Sequence, residues 1–233
     1  MLINEWAEST KQARAACFIS FTGFLDRRTE GVIKKAIPSR EGANRTFFKI
    51  RDEVTTQAMN QSQWMAFLIE LNKINNRDCL IAKTILQGAK RKSEVLGLSI
   101  DQINWRTREI AFNQRKTGGR KQQTIITYSR EFMGQLLSYL EDRVKGYVFI
   151  TRNGTSVHYS QIQRTFKEAG IRANVPFKVA PHVLRATTIT YLKQQGFSDS
   201  DIMRVSGHSD SAMIRMYDKS EKAQNASKMV TLF

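Results

Sequence analysis

The stretch PHVLRATTITYLKQQG occupies residues 181–196 and decides most of what the sequence predicts. Proline is tolerated in the first turn of a helix and glycine often ends one, so a helix is predicted from Pro181 to Gly196. The i, i+3 spacing of His182 and Arg185 places these two side chains on one helical face. That face is predicted to point at a phosphate group.

Two further groups follow this helix. Gly207-His208 comes first, and Tyr217 stands nine residues after the histidine. A phosphodiester under attack builds negative charge on its non-bridging oxygens, and planar guanidinium groups suit that charge. A tyrosine hydroxyl can attack the phosphorus and preserve the bond energy in a covalent intermediate, so that strands are rejoined without ATP or metal. The set therefore predicts phosphodiester cutting and rejoining with Tyr217 as the nucleophile.

Two more segments stand out upstream of the helix. One reads GAKRKSEVLGL over residues 88–98 and carries Arg91 three residues before an acidic residue. The other consists of residues 108–112 and 124–128, which alternate like two strands around a glycine pair. The alternation predicts a hairpin that carries Lys116.

These motifs, in this order, resemble those of the tyrosine recombinases, also called phage-type integrases. The match runs from roughly Met59 to Tyr217, and runs such as SDSDIM at residues 198–203 are similar to the plasmid-borne integrases of chlamydiae. The resemblance implies six catalytic residues, which are Arg91, Lys116, His182, Arg185, His208 and Tyr217. Two departures stand out: the first box reads Gly-Ala-Lys-Arg instead of the usual Gly-Leu-Arg, and Ala186 replaces a frequent histidine.

The resemblance also implies a role for each residue. Arg91, Arg185 and His208 are expected to hold the phosphate, and His182 to assist proton movement at the tyrosine. Lys116 is expected to protonate the departing 5′ oxygen. Other basic residues of the hairpin are alternative donors, namely Arg115, Arg120 and Lys121. The acidic residue of the first box, Glu94, is expected to brace its turn instead of touching DNA.

The expected fold is α+β and mainly helical. It is a tyrosine-recombinase catalytic domain with a small antiparallel sheet, to which a short strand at Tyr147–Ile150 is added. Helical stripes are predicted for the first unit around residues 17–25 and for the second around residues 64–74 and 80–85. Because Pro38 and Gly42 break the pattern, residues 1–46 are expected to be a helical remnant of a core-binding domain plus a linker. Residues 47–233 are expected to be the catalytic domain with its C-terminal tail.

Composition agrees with this interpretation. A formal charge of +16 indicates a polyanionic partner, because neutralised phosphates release counterions, and the motifs make double-stranded DNA the expected one. Cys17 and Cys79 lack metal-ligand spacing and are predicted to pack in apolar surroundings. No cofactor or metal is expected. No apolar run of membrane-spanning length and no signal-peptide layout are present, so a cytoplasmic protein is expected.

Several alternatives stay open at the level of sequence. A type IB topoisomerase uses similar chemistry but relaxes any supercoiled DNA as a monomer. A DNA-binding regulator of plasmid replication or copy number could retain the motifs and lack the clamp that the core-binding domain completes. For the recombinase, the resemblance implies a homotetramer on DNA. The apolar end of the tail, Met229–Phe233, then docks either on its own domain or on a neighbouring protomer.

Overall fold

The computed structural model describes Trp6 and residues 8–37, 57–114, 122–208, 211 and 214. The chain divides into two compact units, Met1–Val54 and Thr55–Phe233. In chain order the elements are α1 (Glu8–Arg28), α2 (Gln61–Ile74), α3 (Asn76–Gly88), α4 (Lys92–Leu96), β1 (Ile103–Asn104), β2 (Glu109–Gln114), β3 (Gln122–Thr127), α5 (Arg130–Leu140), α6 (Tyr159–Arg172), α7 (Pro181–Gln194) and α8 (Asp199–Ser206). The boundary predicted at residue 46 lies outside the described residues. No helix in the described part of the chain combines the length and the apolarity needed to cross a bilayer.

The helices of the second unit pack around one apolar core. Asn75 ends α2, and its side chain accepts a backbone N–H of the first turn of α3, so the two helices follow each other directly. Both predicted stripes are confirmed: Phe67 and Leu71 of α2, and Ile81 and Ile85 of α3, are at most 1% exposed. Burying each such side chain contributes about 1.5–3 kcal/mol of transfer free energy, which makes this helix pair a rigid base for the turn that follows it.

The sheet is antiparallel with the strand order β1-β2-β3. Ile110 pairs with Ile126, and Phe112 pairs with Thr124, so the predicted hairpin strands are confirmed. All four side chains face the interior, whereas the intervening Ile125 is 62% exposed. This alternation fixes the register, because a slip of one residue would turn the buried set outward. The tip of the hairpin lies outside the described residues.

The strand predicted over Tyr147–Ile150 is wrong. This run makes only isolated bridges to other segments. The N–H of Val148 donates to the carbonyl oxygen of Leu98 at 2.8 Å, and Val148 and Phe149 are completely buried. The run is apolar because it fills the core from an irregular segment, and a short apolar run does not distinguish these two cases.

Helix α7 confirms the helix predicted from the opening stretch. Pro181 occupies its first turn, and Leu184 and Ile189 on its length are completely buried. The next helix, α8, begins at the side-chain cap of Ser198 and ends at Gly207, which has a left-handed φ of +69°. That conformation favours glycine and turns the chain sharply after α8.

The first unit contains the predicted helix, α1, but the apolar face of this helix is exposed. Phe18, Phe21 and Phe24 of α1 are 58%, 55% and 47% exposed. The chain after α1 folds back on it, since the N–H of Ala36 donates to Thr22 Oγ1 at 3.0 Å. In the described part of this unit, one helix and a short return cannot cover all apolar side chains.

The two cysteines differ in their surroundings. Cys79 is buried, which confirms its predicted packing role, and burial raises the pKa of its thiol. Cys17 is exposed on α1, so the same prediction is wrong for it. The periodicity placed Cys17 on an apolar face, and that face is exposed.

Candidate active site

The first cationic group of the site lies in the turn between α3 and α4. Helix α3 ends at Ala89 in the left-handed conformation, with φ +47°, and the chain then reaches Arg91 at the start of α4. Glu94 accepts hydrogen bonds from the backbone N–H of Arg91 and from its Nη1, both at 2.9 Å. The Glu94 side chain is 4% exposed and that of Arg91 is 43% exposed. A buried carboxylate therefore holds an exposed guanidinium, which confirms the bracing role predicted for Glu94.

The second cationic group is buried. Arg185 of α7 is 6% exposed, and its Nη1 donates to the carbonyl oxygen of Ala89, two residues before Arg91. Its Nη2 lies 2.8 Å from Nε2 of His208. Arg185 thus joins the Arg91 turn to the segment after α8.

The contacts of His208 suit a ring that accepts a hydrogen bond. Nη2 of Arg185 lies 2.8 Å from Nε2 and 3.3 Å from Nδ1, and a guanidinium group only donates hydrogen bonds. Nδ1 also lies 2.8 Å from Ser206 Oγ, a hydroxyl group that can donate or accept. Burial, and then the charges of Arg185, Arg91 and Lys90, lower the pKa of His208 to about 3. His208 is therefore a neutral imidazole at physiological pH.

The base of the hairpin lies against the turn that carries His208. A Cβ atom on Gly207 would overlap the side-chain amide of Gln114, the last residue of β2. Gln114 is 7% exposed, and among the described residues its Nε2 has no hydrogen-bond partner. The hairpin predicted to carry Lys116 therefore starts beside the site.

His182 is exposed in the first turn of α7, unlike this buried group. Partial desolvation of its ring, and then the charges of Lys178 and Lys92, lower the pKa of His182, which favours its neutral form. The ammonium group of Lys92 lies 3.1 Å from the ring centroid of Tyr159, so a cation–π contact holds this lysine at the same edge.

Two of the six predicted residues, Lys116 and Tyr217, fall outside the described residues, as do the alternative proton donors Arg115, Arg120 and Lys121. A described residue near Tyr217 in the sequence packs close to the site. Ile214, three residues before Tyr217, is completely buried in a cluster with Ala89 and Ile189.

Sequence reasoning missed Lys90. This lysine is completely buried, and its Nζ donates to Thr124 Oγ1 at 2.5 Å and to the carbonyl oxygen of Val205 at 2.6 Å. The one sequence signal was the departure in the first box, where Lys90 precedes Arg91 at the place of an apolar residue. Lysine is almost never fully buried, so its residue type gave no reason to place Lys90 in the core.

The arrangement suits a tetrahedral anion. Arg91 and Arg185 supply permanent positive charge, and His208 supplies a neutral ring in contact with one of them. Guanidinium groups bind phosphate oxygens bidentately. The described groups can stabilise the charge of a phosphodiester under attack. The predicted nucleophile, Tyr217, lies outside the described residues.

Comparisons with known proteins match this chain to the phage integrase family. Residues 55–224 match the model of the phage integrase family. The virulence plasmid integrase pGP8-D of Chlamydia trachomatis serovar L2 is 52% identical over 229 residues, which cover 98% of this chain and 69% of that protein. The virulence plasmid integrase pGP7-D of the same organism is 38% identical over 216 residues, covering 93% of this chain and 70% of that protein.

Solved structures resemble this chain in fold. The XerH site-specific recombinase, in a post-cleavage complex with its palindromic difH substrate, superposes with a TM-score of 0.73 at 14% identity. The superposition covers 97% of this chain and 68% of that one. At this identity the likeness concerns the fold, and it confirms the predicted mainly helical domain with a small antiparallel sheet.

Proposed function

The chain belongs to the phage integrase family, and on this premise we propose that it is a site-specific recombinase that cuts and rejoins DNA through a 3′-phosphotyrosyl intermediate. One observation carries the proposal. Buried Arg185 bonds to both the Arg91 turn and His208, so three groups suited to one phosphate are joined across distant parts of the chain. Burying a guanidinium group beside a neutral imidazole costs free energy, and binding a phosphate group would account for that cost.

The proposed reaction is a transesterification. The hydroxyl of Tyr217 attacks phosphorus, a phosphorus–oxygen bond to tyrosine forms, and the bond to the 5′ oxygen breaks. Lys116 gives the departing oxygen its proton, and His182, whose lowered pKa favours the neutral form, takes up the tyrosine proton. Arg91 and Arg185 stabilise the charge that develops on the non-bridging oxygens.

His208 needs a tautomer change to take part. Nε2 is the ring nitrogen nearer to Nη2 of Arg185, at 2.8 Å, and while it accepts that hydrogen bond it cannot also donate to a phosphate. A phosphate oxygen that binds Arg185 would release Nε2, and Nε2 could then carry a proton toward the same oxygen. Ser206 permits this change, because a hydroxyl group accepts from or donates to Nδ1 by rotation.

The proposed substrate is double-stranded DNA. The formal charge of +16 favours a polyanion, and XerH was solved with its DNA substrate. We propose that four copies assemble on paired sites and that each cuts one strand. The apolar tail end Met229–Phe233 then packs on a neighbouring protomer, which would link the four active sites. Acting on plasmid or chromosomal DNA, the protein works in the cytoplasm.

The first unit is proposed to belong to a helical core-binding domain. The basic side chains of α1 and its exposed phenylalanines suit a surface that meets DNA on one side and protein on the other. This chain spans 69% of the length of the pGP8-D relative.

The test is covalent capture. The purified chain is mixed with nicked fragments of its own replicon, denatured in SDS, and examined for protein-linked DNA. The wild type and Tyr147→Phe should both give the adduct, because Tyr147 is an exposed tyrosine of the same domain. Tyr217→Phe should give none.

Other outcomes separate the alternatives. Salt-sensitive DNA binding without an adduct in any variant would reject the enzyme and favour a DNA-binding regulator. An adduct together with relaxation of any supercoiled circle by the monomer would indicate a topoisomerase instead.

A further inference from the structure

Lys90 is surrounded by the elements that carry the proposed catalytic groups. It precedes Arg91 in the turn, and its Nζ reaches Thr124 on β3 and the carbonyl oxygen of Val205 on α8. Thr124 pairs with Phe112 in the hairpin, and Val205 lies three residues before His208. One ammonium group therefore touches the hairpin and the end of α8 from the Arg91 turn.

The surroundings of Lys90 leave little freedom for its side chain. A Cβ atom on Gly88 would lie 3.0 Å from both Cγ and Cε of Lys90, so the methylene stem packs directly on the end of α3. The face of the Phe112 ring lies 5.3 Å from Nζ. Since Val205 belongs to the last turn of α8, its carbonyl oxygen lacks an intrahelical donor, and the lysine supplies one.

Burial of a lysine is costly, and an apolar residue of similar size would fill the same volume without that cost. An apolar residue could not bond to β3 and α8 at once. The specific gain from Lys90 is thus the fixed relation between three segments. Fixed relations matter at an active site, where misplacement by about 1 Å can cost about a hundredfold in rate.

From these contacts, and resting on the proposed function, we propose that Lys90 is a positioning residue that fixes the Arg91 turn, the Lys116 hairpin and His208 relative to one another. It touches no substrate. Its completely buried side chain acts through Thr124 and Val205.

The lowered pKa of Lys90 has a second measurable consequence, which is a dependence of stability on pH. The pKa of Lys90 is lowered to about 7: burial lowers it most, Glu94 on α4 opposes this, and the charges of Arg185 on α7 and of Arg91 add to the lowering. The unfolded chain keeps the proton up to the usual value of 10.5. Between about pH 7 and 10.5 the unfolded state therefore binds more protons, and Lys90 makes stability rise with pH in that window.

The experiment compares Lys90→Met with Lys83→Met. Lys83 lies on α3, the helix that leads into the Lys90 turn, and donates from Nζ to Gln135 of α5 at 2.7 Å, so Lys83→Met loses a similar bond outside the site. The rate of adduct formation is measured at saturating DNA, and the DNA affinity in a shift assay, at a temperature at which all variants are folded by circular dichroism. Lys90→Met should slow the rate at least about tenfold with affinity within about twofold, and Lys83→Met should change neither.

Thr124→Val provides the second variant. It is nearly isosteric, keeps Lys90 and removes one of the two acceptors. It should slow adduct formation less than Lys90→Met, and the combined variant should be no slower than Lys90→Met alone. If Lys90→Met does not fold, Thr124→Val alone must still slow the rate at unchanged affinity.

A wild-type rate in folded Lys90→Met would overturn the proposal, as would a parallel loss of rate and DNA affinity, which would indicate a DNA contact. Failure of the proposed function is distinguishable, because the wild type would then give no adduct. In that case amide hydrogen exchange decides. Lys90→Met should speed exchange in residues 122–127 and 205–208, and Lys83→Met should not; equal exchange in both would overturn the positioning role.

Discussion

The Arg91 turn and Arg185 of α7 present the same chemical group in opposite ways. Arg91 is 43% exposed and is paired with a carboxylate. Arg185 is 6% exposed, and its partners include a backbone carbonyl and an imidazole. The guanidinium of Arg91 is exposed although its partner Glu94 is buried, so it can turn toward a ligand, whereas a buried donor is fixed by the groups around it. One guanidinium can adjust to DNA, and the other forms part of the domain interior.

The largest loss of stability is expected from a substitution in the turn that precedes His208. Gly207→Ala should destabilise the domain by about 2–4 kcal/mol, because a left-handed φ is strained for alanine and the new Cβ must displace the side-chain amide of Gln114. Gly134→Ala is the matched control, since a Cβ there meets nothing within 4 Å and Gly134 lies inside α5. This control should gain about 0.5–1 kcal/mol. Urea unfolding of both variants measures the difference, and equal stabilities would refute the close packing at Gly207.

The next effect separates the two arginines. Arg185→Met and Arg91→Met should each reduce adduct formation by about 10²–10³, because each removes a donor from the phosphate. Arg185→Met should also lower the free energy of unfolding by about 1–3 kcal/mol, since it leaves the buried Ala89 carbonyl without that bond. Arg91→Met should lower it less, because the buried Glu94 carboxylate keeps its hydrogen bond from the backbone N–H of Arg91. Equal stability losses in the two variants would remove the contrast between the regions.

A smaller effect concerns the tautomer of His208. Ser206→Ala removes the hydroxyl group 2.8 Å from Nδ1, and adduct formation should fall about tenfold while DNA affinity is retained. Ser138→Ala, at an exposed position of α5, is the control and should behave as the wild type. An unchanged rate in Ser206→Ala would show that the ring does not need this partner.

The last expected effect is a change in how stability varies with pH. The folded pKa of His208 is about 3 and its usual value is 6.5, so the unfolded state binds more protons between these values. Stability from this group is full above about pH 6.5 and is lost as pH falls toward 3. His208→Gln should therefore lose stability less steeply than the wild type on acidification over this range. Parallel curves from chemical unfolding would contradict a neutral buried His208.

Much of the fold could be predicted from local patterns. Periodicity predicted α2, α3 and the hairpin strands, and Pro181 with Gly196 bracketed α7. Periodicity failed where burial depends on neighbours: the run at Tyr147–Ile150 is core without being a strand, and Cys17 lies on an apolar face that is exposed. The same signal arises from any apolar segment, whichever element covers it.

The sequence by itself determined the identity of the catalytic candidates, because spacing such as that between His208 and Tyr217 is a property of the chain. The catalytic roles of all six candidates stay predictions. Only the tertiary structure decided that Arg185 is buried against His208, that this ring is neutral, and that Lys90 lies inside the domain. Burial, hydrogen-bond partners and pKa depend on segments far apart in the chain, and folding alone brings these segments together.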